Sequence, residues 1–204
     1  MNDSGYTMKA GLIDQSNDQR VSRLYDRSLR QAKMVPNLFK AMANAPEVLE
    51  VYMDAYQAFS QFSGFSIQEQ QIIFLVISYE NGCDYCLAAH SIAADFSAKL
   101  EPAITDAIRE DKRIPEKKYQ VLAEFTRELL WTRGRPSEEK VDEFLAAGYM
   151  EKQILDLVLA ISLKTLSNYT NHLFKTPIDS VFKVREFKLV KFAARVFQHF
   201  SSKK

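Results

Sequence analysis

Two cysteines and a histidine in the first half of the chain are the residues whose types and spacing best support chemistry. Cys83, Cys86 and His90 have offsets of 0, 3 and 7, and an α-helix at about 100° per residue places them within a narrow arc of one face. The first turn of a helix favours a thiolate, because its unpaired N–H groups and its dipole stabilise negative charge. His90 lies one turn beyond Cys86 and can exchange a proton with it. The spacing therefore predicts a thiol–disulfide redox site.

Two other interpretations of these residues stay open. Zinc prefers four tetrahedral ligands, and Cys83, Cys86, His90 and His172 would form such a set. In the plainer alternative, the cysteines are small buried apolar residues and the histidine is hydrogen-bonded inside the core. The chain has only 2 cysteines, and in a reducing compartment such a pair is more often catalytic or metal-binding than a structural staple.

The composition is that of an ordinary soluble globular protein. The chain has 204 residues, 47% hydrophobic and 26% charged, with a net charge of +1, so no overall field favours nucleic acid or an anionic membrane. No apolar run has the roughly 18 residues needed to span a bilayer, and the polar N-terminus has no signal core. We therefore predict a cytoplasmic protein. With 6 Gly and 6 Pro and an excess of helix formers, the fold class is predicted to be all-α.

The elements that must position the cysteines are two consecutive helices. Ser66 and Glu69 have the capping-box spacing, which predicts a helix from Ile67 to Glu80. Its centre is apolar on all sides, so it should be buried. Asn81-Gly82 interrupts it, and a second helix is predicted from about Cys83 to Lys99. Further helices are predicted over residues 22–33, 38–43, 46–62, 103–111, 116–131, 137–147, 150–170 and 181–200.

These elements group into one domain between two terminal segments. Residues 1–20 are predicted to be a flexible leader, and residues 21–182 a helical domain. Within it we expect an active lobe over about 33–112 and a second lobe over about 116–182. Residues 183–204 carry seven Lys or Arg and are predicted to form a basic C-terminal helix that packs on the body or on a neighbouring subunit rather than on a membrane.

The two lobes are suggested by a faint internal repeat. A shift of 84 residues brings Gly64 onto Gly148 and Cys83 onto Ser167. The intervening apolar positions also match in character. This pattern predicts one active half and one scaffolding half, packed as a pseudo-dimer.

The run from Asn81 to His90 resembles the signature of the AhpD-like (alkyl hydroperoxidase D-like) branch of the carboxymuconolactone decarboxylase family. The resemblance covers roughly residues 33–182. It implies an all-helical fold, assembly into trimers or hexamers, and peroxide reduction by the cysteine pair without a further cofactor. It also implies that Cys86 attacks, that Cys83 resolves, and that His90 relays protons. Flanking segments that agree with the family pattern are 35–39, 45–46, 163–172 and 176–179.

The chain departs from that pattern at one acid–base position. The family places a glutamate twelve residues before the first cysteine, where this chain has Gln71, and glutamine cannot serve as a general base. Glu69 and Glu80 are the nearby carboxylates. Our hypothesis is that Glu80 takes over the acid–base role, and the alternative is that it caps the Cys83 helix or pairs with a cation.

Two further residues are candidates for supporting roles. Tyr85 stands where hydroperoxidase D has a histidine between the cysteines, and it is either a hydrogen-bond donor to a bound peroxide or a buried aromatic. His172 would reach the site if the two lobes packed as a pseudo-dimer.

Together these observations predict a homo-oligomeric enzyme that reduces hydroperoxides, or the disulfides of proteins and small molecules, and is restored by an external thiol donor. The first alternative is a lactone decarboxylase or isomerase on the same fold, although the decarboxylases of the family generally lack the cysteine pair. The second is a non-catalytic interaction protein stabilised by zinc.

Overall fold

The computed structural model describes residues 5–186, and that range is helical with no strand. The predicted all-α class is therefore confirmed. Before residue 175 the predicted helix ends lie within four residues of the observed ones, except that the helix predicted to run to about Lys99 ends as an α-helix at Ile92. A π-helical turn, Ala93–Ser97, continues the fifth helix, and a 3₁₀ helix, Ser180–Glu186, follows the ninth. The α-helices are α1 (Gln19–Ala32), α2 (Asn37–Met42), α3 (Pro46–Phe62), α4 (Ile67–Glu80), α5 (Asp84–Ile92), α6 (Pro102–Arg109), α7 (Lys117–Trp131), α8 (Glu138–Ala146) and α9 (Glu151–Phe174).

Helix α4 is the central element of the fold. It begins with the predicted capping box, in which Glu69 N donates to Ser66 Oγ at 3.2 Å and Ser66 N donates to Glu69 Oε2 at 2.8 Å. All residues from Ile72 to Ile77 are 0% exposed, because α5, α6, α7 and α9 pack around the helix. The buried centre of α4 is therefore closely packed and rigid, and it supports the following helix, which carries Cys86.

A tight turn between α4 and α5 sets the position of Cys83. Gly82 N donates to Tyr79 O and Cys83 N donates to Ser78 O, both at 2.9 Å, which is the pair of hydrogen bonds of a Schellman motif. The motif needs a left-handed residue, and Gly82 has φ 63°, a conformation that costs glycine little. The turn therefore delivers Cys83 directly to the N-cap of α5.

Helix α9 brings a second set of side chains to the same place. It packs against α2, α3, α4, α5 and α7, and it ends at Lys175 in a left-handed conformation. The residues on its buried face recur every three or four positions, which is the period of one helix face. They include Leu157, Ala160, Lys164, Ser167 and Asn171.

The repeat predicted from the sequence has a visible counterpart in two loops. Gly64 and Gly148 have positive φ values of 72° and 91°, and they lie in the loops before α4 and α9. The continuous α9 covers the shifted positions of both α4 and α5. The division into two lobes by duplication stays a prediction.

The segment predicted to be a flexible leader touches the body where the structure describes it. Met8 N donates to Leu173 O at 2.8 Å, and Ile13 N donates to Lys40 O at 3.1 Å. Tyr25 Oη also donates to Ile13 O. Residues 5–18 therefore lie along the helical body without forming a helix.

The chain after α9 differs from the α-helix predicted to start at Val181. Ser180–Glu186 is a 3₁₀ helix, and the rest of the predicted basic helix lies outside the described residues. Arg185 fastens this element to the body, because its Nε lies 2.6 Å from Asp95 and its Nη1 lies 2.9 Å from Asp106. No helix within residues 5–186 is long and apolar enough to cross a membrane.

Candidate functional site

The two cysteines lie side by side at the start of α5, beneath the surface. Cys83 is 1% and Cys86 2% exposed, and both are free thiols. The amide of Asn171 donates to both, with Nδ2 3.7 Å from Cys83 Sγ and 3.3 Å from Cys86 Sγ. Ser167 Oγ lies 4.0 Å from Cys86 Sγ. Three elements therefore meet at the sulfurs: the α4–α5 turn, α5 and α9.

These surroundings divide the roles of the two thiols. The hydrogen bond from Cys83 lowers the pKa of Cys86, and the positive charge of Lys164 with hydrogen bonds from Lys164 and Ser167 lowers it further, which outweighs burial. The hydrogen bond with Cys86 and burial both raise the pKa of Cys83. Cys86 is thus the thiolate and Cys83 the protonated partner. The resemblance to the hydroperoxidases also implied that Cys86 attacks and Cys83 resolves, and this order stays a prediction.

His90 is held between Gln71 and Lys164. Its Nδ1 lies 3.0 Å from Gln71 Oε1, and its Nε2 lies 2.8 Å from Lys164 Nζ. A lysine ammonium only donates and an amide oxygen only accepts, so the partners assign the neutral tautomer with its proton on Nδ1. Burial and the charge of Lys164 lower the pKa of His90, which keeps the ring neutral. Gln71 therefore orients the histidine and does not act as a base.

Lys164 is the functional residue that the sequence analysis missed, together with Ser167 and Asn171. It is 1% exposed, and its Nζ lies over the ring of Phe74, 5.6 Å from the centroid. The three missed residues stand on α9 at positions 164, 167 and 171, which is one helix face. A lysine on the same face as Leu157 and Ala160 was the available signal, because a lysine is rarely buried without a special partner.

Glu80 does not join this group, so the structure places the candidate substitute base elsewhere. Its Oε1 accepts from Arg127 Nε at 2.7 Å and its Oε2 from Trp131 Nε1 at 3.1 Å. The turn after Glu80 points it away toward α7. Pairing with a cation was the alternative raised for this residue, and it is the arrangement observed.

The other candidates of the sequence analysis also lie apart from the cysteines. Glu69 completes its capping box and accepts from Tyr149 Oη at 3.1 Å. His172 is exposed and its ring stacks on Tyr169, so it does not meet Cys83 and Cys86. Across residues 5–186, no three His, Cys, Asp or Glu side chains form a group that could hold a metal ion.

Tyr85 has its hydroxyl fully engaged with the protein. The hydroxyl donates to Asp179 Oδ2 at 2.5 Å and accepts from Leu38 N at 3.2 Å. Burial and the Asp179 carboxylate raise the pKa of this phenol. Its ring meets Phe182 edge to face, so Tyr85 holds the segment after α9 against the mouth of the site.

A cavity of about 360 Å³ opens onto Cys86, His90 and Lys164. Pockets of this size are at the lower end of those that hold small organic ligands. Within the described part of the chain, none of its lining residues is an Asp, Glu or Arg. Its walls are mainly aromatic and aliphatic, formed by Pro36, Leu38, Phe39, Tyr52, Met53, Tyr56, Tyr85 and Phe182.

If the protein reduces peroxides, as the family resemblance implies, we expect Glu80→Gln to leave that turnover within about twofold of the wild type. We also expect it to lower the free energy of unfolding by about 1–2 kcal/mol. The side chains of Glu80 and Arg127 are 12% and 14% exposed. Because the charged pair is partly buried, its loss should lower the free energy of unfolding. Urea unfolding and peroxide kinetics would be measured on the same preparations. The exposed Glu47→Gln is the control. A large loss of turnover at unchanged stability would restore Glu80 as the base.

Comparison with known proteins supports the fold assignment. No family model matches the sequence, and no curated protein does. A peroxidase-related protein from Ralstonia eutropha, an alkylhydroperoxidase AhpD core, has a TM-score of 0.71 at 18% identity, over 79% of this chain and 86% of that one. A peroxidase-related protein from Silicibacter sp. gives 0.71 at 16%, over 89% and 98%. A variant of the debrominase Bmp8 in complex with 2,3,4-tribromopyrrole gives 0.71 at 14%, over 87% and 95%.

These likenesses define the class of fold to which the chain belongs. It has the AhpD-like all-α fold, as the sequence resemblance predicted. At such identities the likeness concerns the fold, so the chemistry must be argued from the side chains of this chain.

Proposed function

We propose that this protein is a dithiol–disulfide oxidoreductase that reduces organic hydroperoxides at Cys86. The observation that carries the proposal is the placement of Cys86 on a cavity, beside the buried cation of Lys164 and next to a second thiol. A thiolate is the nucleophilic form of cysteine, and a nearby cation with hydrogen-bond donors maintains it at neutral pH. Cys83 is the N-cap residue of the same helix, and Asn171 Nδ2 contacts both sulfurs, which supports Cys83 as the resolving thiol.

The first step is attack of the Cys86 thiolate on the terminal oxygen of R–O–OH. The new S–O bond forms as the O–O bond breaks, which gives the sulfenic acid and an alkoxide RO⁻. Lys164 Nζ stabilises the alkoxide and gives it a proton, and the alcohol leaves. His90 Nε2 lies 2.8 Å from Nζ and holds the lysine in place by a hydrogen bond. Lys164 then regains its proton from solvent.

The second step closes the disulfide. Cys83 attacks the sulfenic sulfur of Cys86, and hydroxide leaves with the Cys83 proton as water. The dithiol has then lost two electrons to the peroxide. An external thiol donor returns two electrons and two protons by thiol–disulfide exchange. A cytoplasmic location and assembly into trimers or hexamers belong to the same proposal and stay predictions.

A second substrate class follows from the aromatic cavity wall and the debrominase of similar fold. In reductive dehalogenation the Cys86 thiolate would take the halogen from carbon, and the carbon would take a proton. Cys83 would then displace halide to form the same disulfide. The two-electron balance is identical, so the two substrate classes are separated by comparing rates with an organic hydroperoxide and with a halogenated aromatic ring.

The proposal is tested by a mass-resolved thiol count after one equivalent of cumene hydroperoxide. We expect both thiols to be lost together, with one disulfide formed and one cumyl alcohol released per chain. A dithiol donor should restore both thiols. If the thiols survive the peroxide, or if activity toward a small lactone persists after both cysteines are replaced by serine, the redox proposal is wrong.

A further inference from the structure

The charge balance around Lys164 depends on the state of Cys86. Lys164 is 1% exposed, and within residues 5–186 it forms no ion pair with a carboxylate. Its ammonium group contacts His90, lies over the ring of Phe74 and lines the same cavity as Cys86, and the histidine is neutral. The Cys86 thiolate is therefore the counter-charge of the lysine in the dithiol form.

Loss of the thiolate leaves a buried cation without a partner whenever Lys164 carries its proton. Formation of the disulfide does so, and so does replacement of Cys86 by an uncharged residue. An unpaired buried charge is strongly unfavourable, because water no longer solvates it. The cavity is the route by which a compensating group can reach Nζ, since Lys164 lines it and no acidic residue among residues 5–186 does.

We propose that this cavity binds a small aromatic monoanion, with its carboxylate on Lys164 Nζ, whenever Cys86 carries no negative charge. The shape and chemistry of the walls define the ligand. Phe39, Tyr52, Tyr56 and Phe182 offer aromatic contacts to a ring, and the site supplies one cation for one negative charge. A volume of about 360 Å³ accommodates a single substituted ring.

The same arrangement makes the thiolate and the anion competitors. A carboxylate bound at Nζ would take the charge that lowers the thiol pKa, so the dithiol form binds the anion weakly and the disulfide form binds it well. In the redox cycle proposed above, on which this assignment rests, the site would hold an anionic product or another aromatic acid until the dithiol is regenerated.

The test measures benzoate binding by isothermal titration calorimetry. Cys86→Ser should bind benzoate about tenfold more tightly than the Cys86→Ser/Lys164→Met double variant, and about tenfold more tightly than reduced wild type at pH 8. Benzamide, the neutral analogue, should bind Cys86→Ser and the double variant equally. Circular dichroism confirms that each variant is folded.

A second measurement does not depend on the double variant. Cys86→Ser alone should prefer benzoate over benzamide by about tenfold, and oxidised wild type should behave like Cys86→Ser. Equal binding of benzoate and benzamide to Cys86→Ser would overturn the anion site. Since Cys86→Ser has no redox cycle, benzoate binding to it would persist even if the wild type failed to react with peroxide, so the two proposals fail separately.

Discussion

Replacing Lys164 with methionine is expected to slow the reaction of Cys86 with hydroperoxide by about a hundredfold or more at pH 7. Methionine keeps an unbranched apolar side chain one atom shorter, with sulfur in place of one methylene, and it lacks the ammonium group. In the proposed mechanism that group has two effects, because its charge lowers the pKa of Cys86 and it would stabilise the alkoxide as the O–O bond breaks. A charged hydrogen bond contributes about 1.5–3 kcal/mol, and each 1.36 kcal/mol is a factor of ten in rate.

The pH dependence separates these two effects. Because the pKa of Cys86 is lowered in the wild type, its rate should be level at neutral pH and fall only as acid protonates the thiolate. In Lys164→Met the midpoint should move upward toward the ordinary thiol value of about 8.5. Raising the pH should therefore recover part of the lost rate, and the remainder reports the lost stabilisation of the alkoxide.

The measurement is stopped-flow peroxide consumption from pH 5 to 9. Lys152→Met is the matched control, since Lys152 stands on the same helix, its side chain is 60% exposed and it pairs with Asp156 at the surface. We expect this control to keep the wild-type rate and profile. A wild-type rate and profile in Lys164→Met would remove the lysine from the mechanism.

The features that the sequence predicted well are those with local causes. Helix α4 begins and ends where predicted, because the Ser66 capping box and the left-handed Gly82 are short-range signals. The approach of Cys83 and Cys86 likewise follows from helix geometry within one turn. Such features need no knowledge of which distant elements pack together.

The features that the sequence did not predict depend on packing between distant segments. Lys164 meets His90 across 74 positions, and Asn171 meets Cys86 across 85. Glu80 is the converse case. It is three residues from Cys83 in the sequence, but the turn at Gly82 separates them and Arg127 of α7 binds its carboxylate. Sequence proximity across a tight turn is thus a poor guide to a shared site.

The sequence of α9 nevertheless contains a pattern that marks the three site residues on this helix. Lys164, Ser167 and Asn171 follow the spacing of the buried leucine and alanine positions on that helix, so polar residues occupy a face that should be apolar. The repeat had also aligned Ser167 with Cys83. Combined, the two observations point to α9 as the element that faces the thiols.

Replacing each cysteine with serine is expected to separate attack from resolution. Cys86→Ser should lower peroxide consumption by about a thousandfold or more, because the nucleophile is gone. Cys83→Ser should still consume one equivalent of peroxide. Serine retains a hydroxyl that can donate to Cys86, and Lys164, Ser167 and Asn171 are unchanged, so the lowered pKa of Cys86 is largely preserved.

The products then identify the step that each cysteine performs. Cys83→Ser should stop after a single turnover with the mass of one added oxygen on Cys86, a sulfenic acid that dimedone traps. Wild type should instead form the disulfide and resist the trap. If Cys86→Ser consumes peroxide at the wild-type rate and dimedone then labels Cys83, the order of attack is reversed. That outcome would contradict the charge argument at its centre, because Lys164 and the hydrogen bonds of α9 would then be lowering the pKa of a thiol that does not attack.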